Sequence, residues 1–352
     1  MKPRELMNRA FGKFLPVIDG ALRENGQPFN RPEMLVPHID SRFYGWTHYG
    51  VMIPDLPAPH RFFSIMSIIG TPGALAFDND HLLQDIPRRN ATVVSGTAAT
   101  HPNHFGSYSV DRDCRFAADG SLIRFGDEVE ISGGYPEYLV RADFGGFELD
   151  ITIHNTETVT WFVKNAVYEH ISLLSTYQGQ IIFQGESLPI SGLCTFEYGA
   201  CISPYNLRRK LLPPVLKVPL DYFVYNIINL DEKTQLLLSY VTVKGLPVQQ
   251  VANIRTLDGE SRSYPKTTFT VLTMQAEPAV STDGVRMFLP ETLMWVIMDG
   301  AEEIAEIFGR IDTPFTYGLG SGYVGGYACE GVYRGKPIKT RGYIEYVDRR
   351  ER

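Results

Sequence analysis

The sequence predicts an all-β protein that folds into two antiparallel barrels. Short segments rich in β-branched and aromatic residues recur about every 8–12 residues, and turn dipeptides such as Asp119-Gly120 and Gly133-Gly134 separate them. No long helical pattern interrupts this series, and such a series is typical of antiparallel sandwiches and barrels. The chain has 352 residues, which suits two domains of about 100–200 residues each.

The composition indicates a folded protein of a reducing compartment. Hydrophobic residues make up 44% of the chain and aromatic residues 12%, which suffices for packed cores. The formal net charge is −7 and no basic stripe stands out, so we expect no nucleic-acid partner. The four cysteines are scattered and form no CxxC pair. We therefore predict no disulfide, no zinc site and a cytoplasmic location.

Residues 1–40 are predicted to form a short N-terminal helix and an extended arm. Apolar residues recur at helical spacing from Leu6 to Phe14, the polar positions lean basic, and Pro16 should end the helix. Charged residues interrupt this stretch, which excludes a signal peptide. Such a helix usually packs on its own domain, and a weak contact with a membrane surface is the alternative. Residues 24–40 are rich in Asn, Gly and Pro and should form the arm.

The first barrel is predicted within residues 41–206. An aromatic, roughly alternating stretch begins it, and Gly-containing turns separate the strands that follow. The predicted strands are residues 43–53, 61–70, 90–96, 106–110, 122–125, 129–132, 138–144 and 147–154, followed by a hairpin over residues 177–199.

The second barrel is predicted within residues 220–352, after a proline-rich and basic linker at residues 207–219. Residues 300–308, GAEEIAEIF, carry apolar residues on one side and acids on the other, and this pattern predicts a helix. Residues 291–297 fit either a strand or a helix. The predicted strands are residues 221–228, 234–243, 251–256, 267–275, 286–288, 327–333 and 341–347.

The central hairpin carries the first candidate for chemistry. Its return strand ends in Phe196-Glu197-Tyr198-Gly199, and an acid beside aromatic residues at a barrel mouth suits a binding pocket. The alternative is an exposed glutamate at a strand end. Aromatic residues cluster in both halves and together could line an apolar pocket, although each one alone is by default part of a core. These clusters contain Phe43, Tyr44, Trp46, His48, Tyr49, Tyr198, Tyr222, Phe223, Tyr225, Tyr323 and Tyr327.

Two motifs resemble a nucleotide-binding loop and a metal site, but neither is accompanied by the helix that such a site needs. Residues 318–326, GLGSGYVGG, look like a nucleotide loop, but no helix follows to bind a phosphate. We expect a flexible flap beside a pocket there. His101 and His104 have a spacing that suits a metal, yet no helix places both rings on one face, and two solvated loop histidines are favoured. The sequence predicts no metal and no nucleotide cofactor.

The order of four short motifs resembles the two-domain, lipocalin-like family of carotenoid hydratases (hydroxyneurosporene synthases) and AttH-like proteins. The first is the aromatic strand FYGWTHYG at residues 43–50, and the second is SGLCTFEYG at residues 191–199. The third is LDYF at residues 220–223. The last is Glu330-Gly331 followed by RGYIE at residues 341–345. The resemblance covers residues 43–348 and implies two lipocalin-like barrels packed side by side.

The resemblance also implies a site and a class of reaction. In the family's hydratases a mid-chain His and Trp serve hydration, but Phe196 and Tyr198 occupy those positions here. A phenyl ring cannot move a proton, so that mechanism does not transfer as it stands. Three acids remain as candidate catalysts, with Glu197 ranked before Asp221 and Glu330. The candidate substrate-binding residues are Tyr44, Trp46, His48, Phe196, Tyr198, Tyr222 and Tyr327.

Three hypotheses follow from the sequence. The first is a cofactor-independent enzyme that hydrates, isomerises or cyclises an apolar isoprenoid, polyene or polyketide at the interdomain seam. Burial would raise the pKa of its acid towards neutrality. The second is a carrier of apolar ligands on the same scaffold, without turnover. The third is that the three acids only hold strand ends together.

Overall fold

The computed structural model describes residues 20–350, and their regular secondary structure consists almost entirely of antiparallel strands. The N-terminal helix predicted between Leu6 and Phe14 lies outside the described residues. Two one-turn helices, α1 (Ala21–Glu24) and α2 (Val110–Asp113), are present. No helix within residues 20–350 is long and apolar enough to cross a membrane. The predicted all-β class is confirmed.

The first sheet has eleven strands and curls on itself. In space the strands follow the order β4-β3-β2-β1-β11-β10-β9-β8-β7-β6-β5. The two edge strands, β4 and β5, are joined by the single turn of α2, so the edges of the sheet come near each other and enclose a core. The strands are β1 (Trp46–Ile53), β2 (Phe63–Ile69), β3 (Asn90–Thr97), β4 (His104–Ser109), β5 (Cys114–Phe116), β6 (Leu122–Phe125), β7 (Val129–Gly134), β8 (Glu137–Phe144), β9 (Phe147–Lys164), β10 (Tyr168–Phe183) and β11 (Glu186–Cys201).

The second sheet has ten strands and follows the order β15-β14-β13-β12-β23-β22-β20-β19-β16, with β21 beside β22. Its edge strands, β15 and β16, are separated in the chain by Pro265 alone, so this sheet curls as well. The strands β17 and β18 form a separate pair. The strands are β12 (Leu220–Asn229), β13 (Thr234–Val243), β14 (Leu246–Thr256), β15 (Ser261–Tyr264), β16 (Lys266–Met274), β17 (Ala279–Val280), β18 (Arg286–Met287), β19 (Pro290–Asp299), β20 (Glu302–Ile311), β21 (Thr316–Leu319), β22 (Gly322–Tyr333) and β23 (Lys336–Asp348).

The predicted central hairpin is correct. The strands β10 and β11 pair in register from Tyr168–Cys201 to Phe183–Glu186, and Gln184 and Gly185 form the turn with positive φ angles of 53° and 85°. Both strands are 16 residues long, so they reach from the hairpin tip to the neighbourhood of the second sheet. The hairpin therefore carries its residues from one end of the barrel to the other.

The helix predicted at residues 300–308 is wrong, because residues 302–308 belong to strand β20 and residues 300–301 form the turn before it. Gly300 has a φ of 65° and forms the turn of the hairpin that connects β19 to β20. From Ala305 onward the side chains alternate, with Ile307 inward and Glu306 outward. Pairing with β19 on one side and β22 on the other supplies the backbone hydrogen bonds, and this tertiary pairing outweighs the local helical pattern. Residues 291–297, which fit either state, lie in strand β19.

The flexible flap predicted at residues 318–326 is also wrong. These residues are buried and largely occupy β21 and β22. A Cβ atom on Gly318 would lie 2.7 Å from Phe105 Cδ2 and 2.8 Å from Val94 Cβ, both in the first sheet. Glycine is therefore required there because the two sheets approach closely.

The two sheets pack against each other through one face of β1, β2 and β3. Tyr49, Val51 and Ile53 point into the core of the first sheet. Met52 and Met66, on the opposite face, join the core of the second sheet. These strands are buried on both faces for that reason. Residues 202–219 connect the sheets, and the predicted domain boundaries remain predictions.

Candidate active site

A cavity of about 760 Å³ lies between the two sheets. Its volume is in the range of sites for small organic molecules. Both sheets and the helix α1 contribute to its walls, and most of the wall residues are aromatic or aliphatic. They include Leu22, Trp46, Met66, Ile68, Phe77, Trp161, Phe162, Leu220, Phe223, Val241 and Val251.

The polar side chains of the cavity lie close together on the first sheet, where a large polar residue on one strand faces a glycine on the next strand. His48 on β1 and His170 on β10 both lie opposite Gly199 of β11 in the strand register. Glu197 lies opposite Gly50 of β1 in the next row. A Cβ atom on Gly50 would lie 2.9 Å from His48 Nε2, and one on Gly199 would lie 3.3 Å from the His170 ring. The two glycines therefore make room for both imidazoles beside the carboxylate.

Hydrogen bonds orient the two imidazole rings. His48 Nδ1 is 2.7 Å from the carbonyl oxygen of Ser67. Because a carbonyl can only accept, Nδ1 carries the proton and donates it. His48 Nε2 then faces Glu197 Oε2 at 3.8 Å. His170 Nδ1 lies 2.9 Å from Tyr168 Oη, and its buried Nε2 has no hydrogen-bond partner among the described residues.

Burial keeps His170 neutral. Loss of hydration lowers the pKa of this imidazole well below its usual value, and the neighbouring His48 lowers it further. The ring centroids of the two histidines are 5.4 Å apart. His170 therefore offers the cavity an uncharged ring nitrogen.

Tyr225 of the second sheet reaches across the cavity to Glu197. Its hydroxyl donates a hydrogen bond of 2.5 Å to Glu197 Oε1, and both side chains are buried. Burial and the charge of Glu197 raise the pKa of this phenol well above its usual value, so Tyr225 remains a hydrogen-bond donor at neutral pH. The bond leaves the second carboxylate oxygen, Oε2, on the His48 side.

A second buried carboxyl, Glu345 of β23, lines the same cavity. It lies opposite Tyr225 in the register of β12 and β23 and accepts a hydrogen bond of 3.1 Å from Tyr343. Burial, followed by the charge of Glu197, raises the pKa of Glu345 well above its usual value. The cavity thus contains two carboxyl groups, contributed by different sheets, and the environment favours the protonated form of Glu345.

Beneath the carboxyl groups, Arg255 of β14 joins the two sheets. This side chain is fully buried, and it donates to Gln235 Oε1 within its own sheet at 2.7 Å. It also donates to the carbonyl of Ser172 in the first sheet at 2.6 Å, and Ser172 lies opposite Glu197 in the strand register. Burial lowers the pKa of Arg255 to about 10, so the guanidinium remains charged at neutral pH.

Three of these side chains form a set that could hold a divalent metal ion. His48, His170 and Glu197 each offer one ligand atom, and these atoms all lie within 4.8 Å of one another. Two imidazoles and a carboxylate suit several transition metals. The sequence analysis did not find this set, because its members lie on three strands that are distant in the chain.

Three of the residues predicted as site residues line the cavity. They are Glu197, Trp46 and His48. Phe196 and Tyr198 flank Glu197 in the strand and therefore point to the opposite face, into the core of the first sheet. There Phe196 stacks on Tyr138 with the ring centroids 4.5 Å apart.

The remaining predicted residues lie elsewhere. Tyr44 donates a hydrogen bond to Glu169. Tyr222 and Tyr327 are packed in the core of the second sheet. Asp221 accepts hydrogen bonds from Thr242 Oγ1 at 2.5 Å and from the amide of Gly245 at 2.7 Å, which hold the turn after β13. Glu330 is exposed on β22. None of these side chains lines the cavity.

Sequence reasoning missed Glu345, His170 and Arg255 as site residues. Tyr225 was counted among the clustered aromatic residues but was not chosen as a site residue. Glu345 ends the RGYIE motif, so a signal for it was present. His170 and Arg255 carry no local motif, and only the pairing of strands brings His170 to the cavity wall and Arg255 to Ser172, opposite Glu197.

Comparisons with known proteins identify a family and a scaffold. The profile of a family of unknown function, DUF6670, matches residues 66–352. A comparison with curated proteins returned no significant match.

Three solved structures share the architecture. An AttH-like protein from Nitrosomonas europaea is 16% identical, with a TM-score of 0.60 over 92% of this chain and 98% of its own. Kievitone hydratase from Nectria haematococca is 11% identical, with a TM-score of 0.58 over 92% and 94%. The protein CghA is 9% identical, with a TM-score of 0.50 over 86% and 88%. At these identities the likeness concerns the fold, and it confirms the lipocalin-like, AttH-like scaffold suggested by the sequence motifs.

Proposed function

The chain belongs to the DUF6670 family, and we propose that it is an enzyme that transfers protons to and from an apolar small molecule in the cavity between the sheets. Isoprenoids, polyenes and polyketides are the expected substrate classes. The reaction is hydration, isomerisation or cyclisation. One observation carries the proposal: two buried carboxyl groups, Glu197 and Glu345, meet in a cavity whose walls are mostly apolar.

The cavity walls support an apolar substrate. Trp46, Trp161 and Phe162 come from the first sheet, and Phe223 and Val241 come from the second. A ligand that covers these surfaces gains the hydrophobic free energy of their burial, about 25 cal/mol per Å² of apolar area. Their aromatic faces could also stabilise positive charge that develops on the substrate.

Glu345 is the proposed acid. Burial and the charge of Glu197 raise the pKa of Glu345 well above its usual value and so favour the protonated carboxyl, which can donate to an alkene carbon or a carbonyl oxygen. The donated proton leaves a carboxylate behind, which the hydroxyl of Tyr343 stabilises at 3.1 Å.

Glu197 is the proposed base. Its Oε1 is held by Tyr225, so Oε2, on the side of His48, remains to accept a proton. When the proton comes from water, the oxygen adds to the cationic carbon and the product is an alcohol. When it comes from a neighbouring carbon, the electrons of the C–H bond form a new double bond. Hydration also consumes one water molecule, and in each case a proton then returns from Glu197 to Glu345 through solvent, which restores both carboxyl groups.

The comparisons support this proposal by analogy. One structure with the same architecture is named as a hydratase, so the scaffold can carry hydration chemistry. The carrier hypothesis remains the alternative, and the experiment below separates the two.

The test begins with mass spectrometry of an organic extract of the purified full-length protein, which identifies a bound compound or guides a screen of polyenes and isoprenoids. Turnover and affinity are then measured for Glu345→Gln and Glu197→Gln. We expect each variant to lose about 10²–10⁴-fold in turnover, while the ligand Kd changes by less than about threefold because the amide keeps the shape of the carboxyl.

The matched control is Glu330→Gln, which makes the same chemical change at an exposed position. It should retain turnover within about twofold. A ligand that binds to every variant and is converted by none would identify a carrier. Full turnover by both Glu345→Gln and Glu197→Gln would refute the assigned roles.

A further inference from the structure

The connection between the two sheets exposes apolar side chains at residue 207 and at residues 213–216 of one loop. Leu207 is 98% exposed, Val215 is 88% exposed and Leu216 is 66% exposed. Pro213 and Pro214 beside them are exposed as well. Single exposed apolar residues are common, whereas an exposed group of them marks an interaction site. We call residues 207–216 the connecting loop.

The same loop carries three consecutive basic residues, Arg208, Arg209 and Lys210, all of them exposed. Arg208 donates to the carbonyls of Lys210 and Leu211, which shapes the loop. Within residues 20–350 no acidic side chain forms an ion pair with Arg209 or Lys210. The whole chain has a net charge of −7, so the connecting loop is a local positive region, and such a region favours binding to an anionic partner.

Buried anchors fix both ends of the connecting loop. On one side the buried Tyr205 accepts a hydrogen bond of 3.1 Å from the amide of Leu212. On the other side Lys217 is buried and pairs with Asp78 at 2.8 Å and with Asp80 at 2.5 Å. The residues at both ends of the connecting loop are therefore held in place by buried side chains while apolar residues between them are exposed.

We propose that the connecting loop docks the protein on an anionic lipid bilayer. The apolar tips Leu207, Val215 and Leu216 enter the interface, and Arg209 and Lys210 bind lipid phosphates. In a symmetric dimer formed through this loop, one positive loop would face another, so charge favours the lipid surface over such a dimer. This inference goes beyond the proposed function and does not depend on it.

The position of the loop is consistent with exchange of apolar compounds. Val218, which follows the loop, pairs through its backbone with Gly73 and Leu75. The neighbouring residues Pro72, Phe77 and Leu220 line the cavity. A bilayer at the loop would thus lie close to one wall of the cavity.

The test is flotation of the full-length protein with vesicles of pure phosphatidylcholine and with vesicles that also contain roughly 30 mol% phosphatidylglycerol, whose headgroups give the surface a negative potential. We expect binding to the anionic vesicles that weakens with added salt. Arg209→Gln combined with Lys210→Gln should weaken binding by about 25-fold, since each basic residue near the surface contributes about a fivefold factor. The combination Leu207→Ser, Val215→Ser and Leu216→Ser should weaken it by more than about tenfold.

Two control variants remove exposed basic and exposed apolar residues of the second sheet. Lys336→Gln with Lys339→Gln removes two exposed lysines, and Leu272→Ser with Val332→Ser removes exposed apolar residues. Both should bind like the wild type. This comparison also separates the loop from residues 1–19, which every variant retains.

Three results would overturn the proposal. One is wild-type protein that floats with neither kind of vesicle. Another is binding that the loop variants and the control variants retain equally. The third is a dimer in light scattering that the loop variants abolish, because the occupant of the loop would then be a second copy of the chain.

Discussion

Replacement of Arg255 by methionine should destabilise the protein strongly, because this side chain joins the sheets beneath the cavity. Methionine has a similar length but no donors. The change leaves Gln235 Oε1 without both of its arginine bonds, at 2.7 and 3.2 Å. It also removes the bonds to the carbonyl and hydroxyl of Ser172, at 2.6 and 3.0 Å.

The magnitude follows from the groups that lose their partners. A buried acceptor left without a donor costs about 1–3 kcal/mol, and at least two such acceptors remain after the change. Removing the guanidinium also leaves Glu197 with less compensating charge, while the desolvation cost of burying the arginine is relieved. The net loss should be about 3–5 kcal/mol, the range for breaking a buried charged network by removing one member.

Urea unfolding measures this loss. Trp46 and Trp161 report on the first sheet and Trp295 on the second, so fluorescence and far-UV circular dichroism together follow both. Arg310→Met is the matched control, since Arg310 is an exposed residue of β20, and it should change the free energy of unfolding by less than about 0.5 kcal/mol. A loss of less than about 1 kcal/mol for Arg255→Met, with an unchanged slope against urea, would refute this reasoning.

Four further predictions concern other polar side chains described above. Glu345→Gln should gain stability relative to the wild type as the pH rises above 4.5. The pKa of Glu345 in the folded protein is raised well above this value, which is its ordinary pKa. The wild type therefore loses folding free energy as its carboxyl ionises, whereas the amide of the variant does not ionise. Melting temperatures from pH 4 to 9 test this, and a constant difference would contradict it. Lys217→Met should cost about 3–5 kcal/mol in urea unfolding, because it leaves the buried Asp78 without its counter-ion; a loss within about 0.5 kcal/mol would show that the pair is not needed. Asp221→Asn should cost about 1–2 kcal/mol through the turn after β13 and leave ligand affinity unchanged, and calorimetric titration that finds weaker binding would return Asp221 to the site. Tyr225→Phe should lower turnover at least about tenfold by removing the donor to Glu197, and steady-state rates equal to the wild type would exclude this hydrogen bond from the mechanism.

The outcome at β20 and at the central hairpin shows where sequence patterns suffice. The central hairpin carries its own turn, Gln184-Gly185, between two β-rich segments, so local residues predict it and the structure agrees. The segment at β20 has helix-forming residues and a spacing that fits a helix. The segment is nevertheless a strand, because it pairs with β19 and β22. The residues of the segment do not indicate that these two strands lie beside it.

In the candidate site, too, the sequence motif selected one residue that lines the cavity and two others that do not. Glu197 was found because it stands beside aromatic residues in a short motif, and the structure puts it in the cavity. Phe196 and Tyr198 were selected by the same motif and point into the opposite core. Successive side chains of a strand face opposite sides, so a motif of adjacent residues cannot all belong to one site.

By itself the sequence determined the all-β class and the central hairpin, because turn residues and β-rich segments act locally. The AttH-like scaffold followed from the resemblance of four short motifs to a known family. The tertiary structure alone decided that Glu345 and Tyr225 share a cavity with Glu197 and the two histidines, and that Arg255 binds Ser172 next to them. These residues are separated by up to 297 positions in the chain, from His48 to Glu345. Which of them share a cavity depends on strand register and on the packing of one curled sheet against the other, and neither is a property of any short segment.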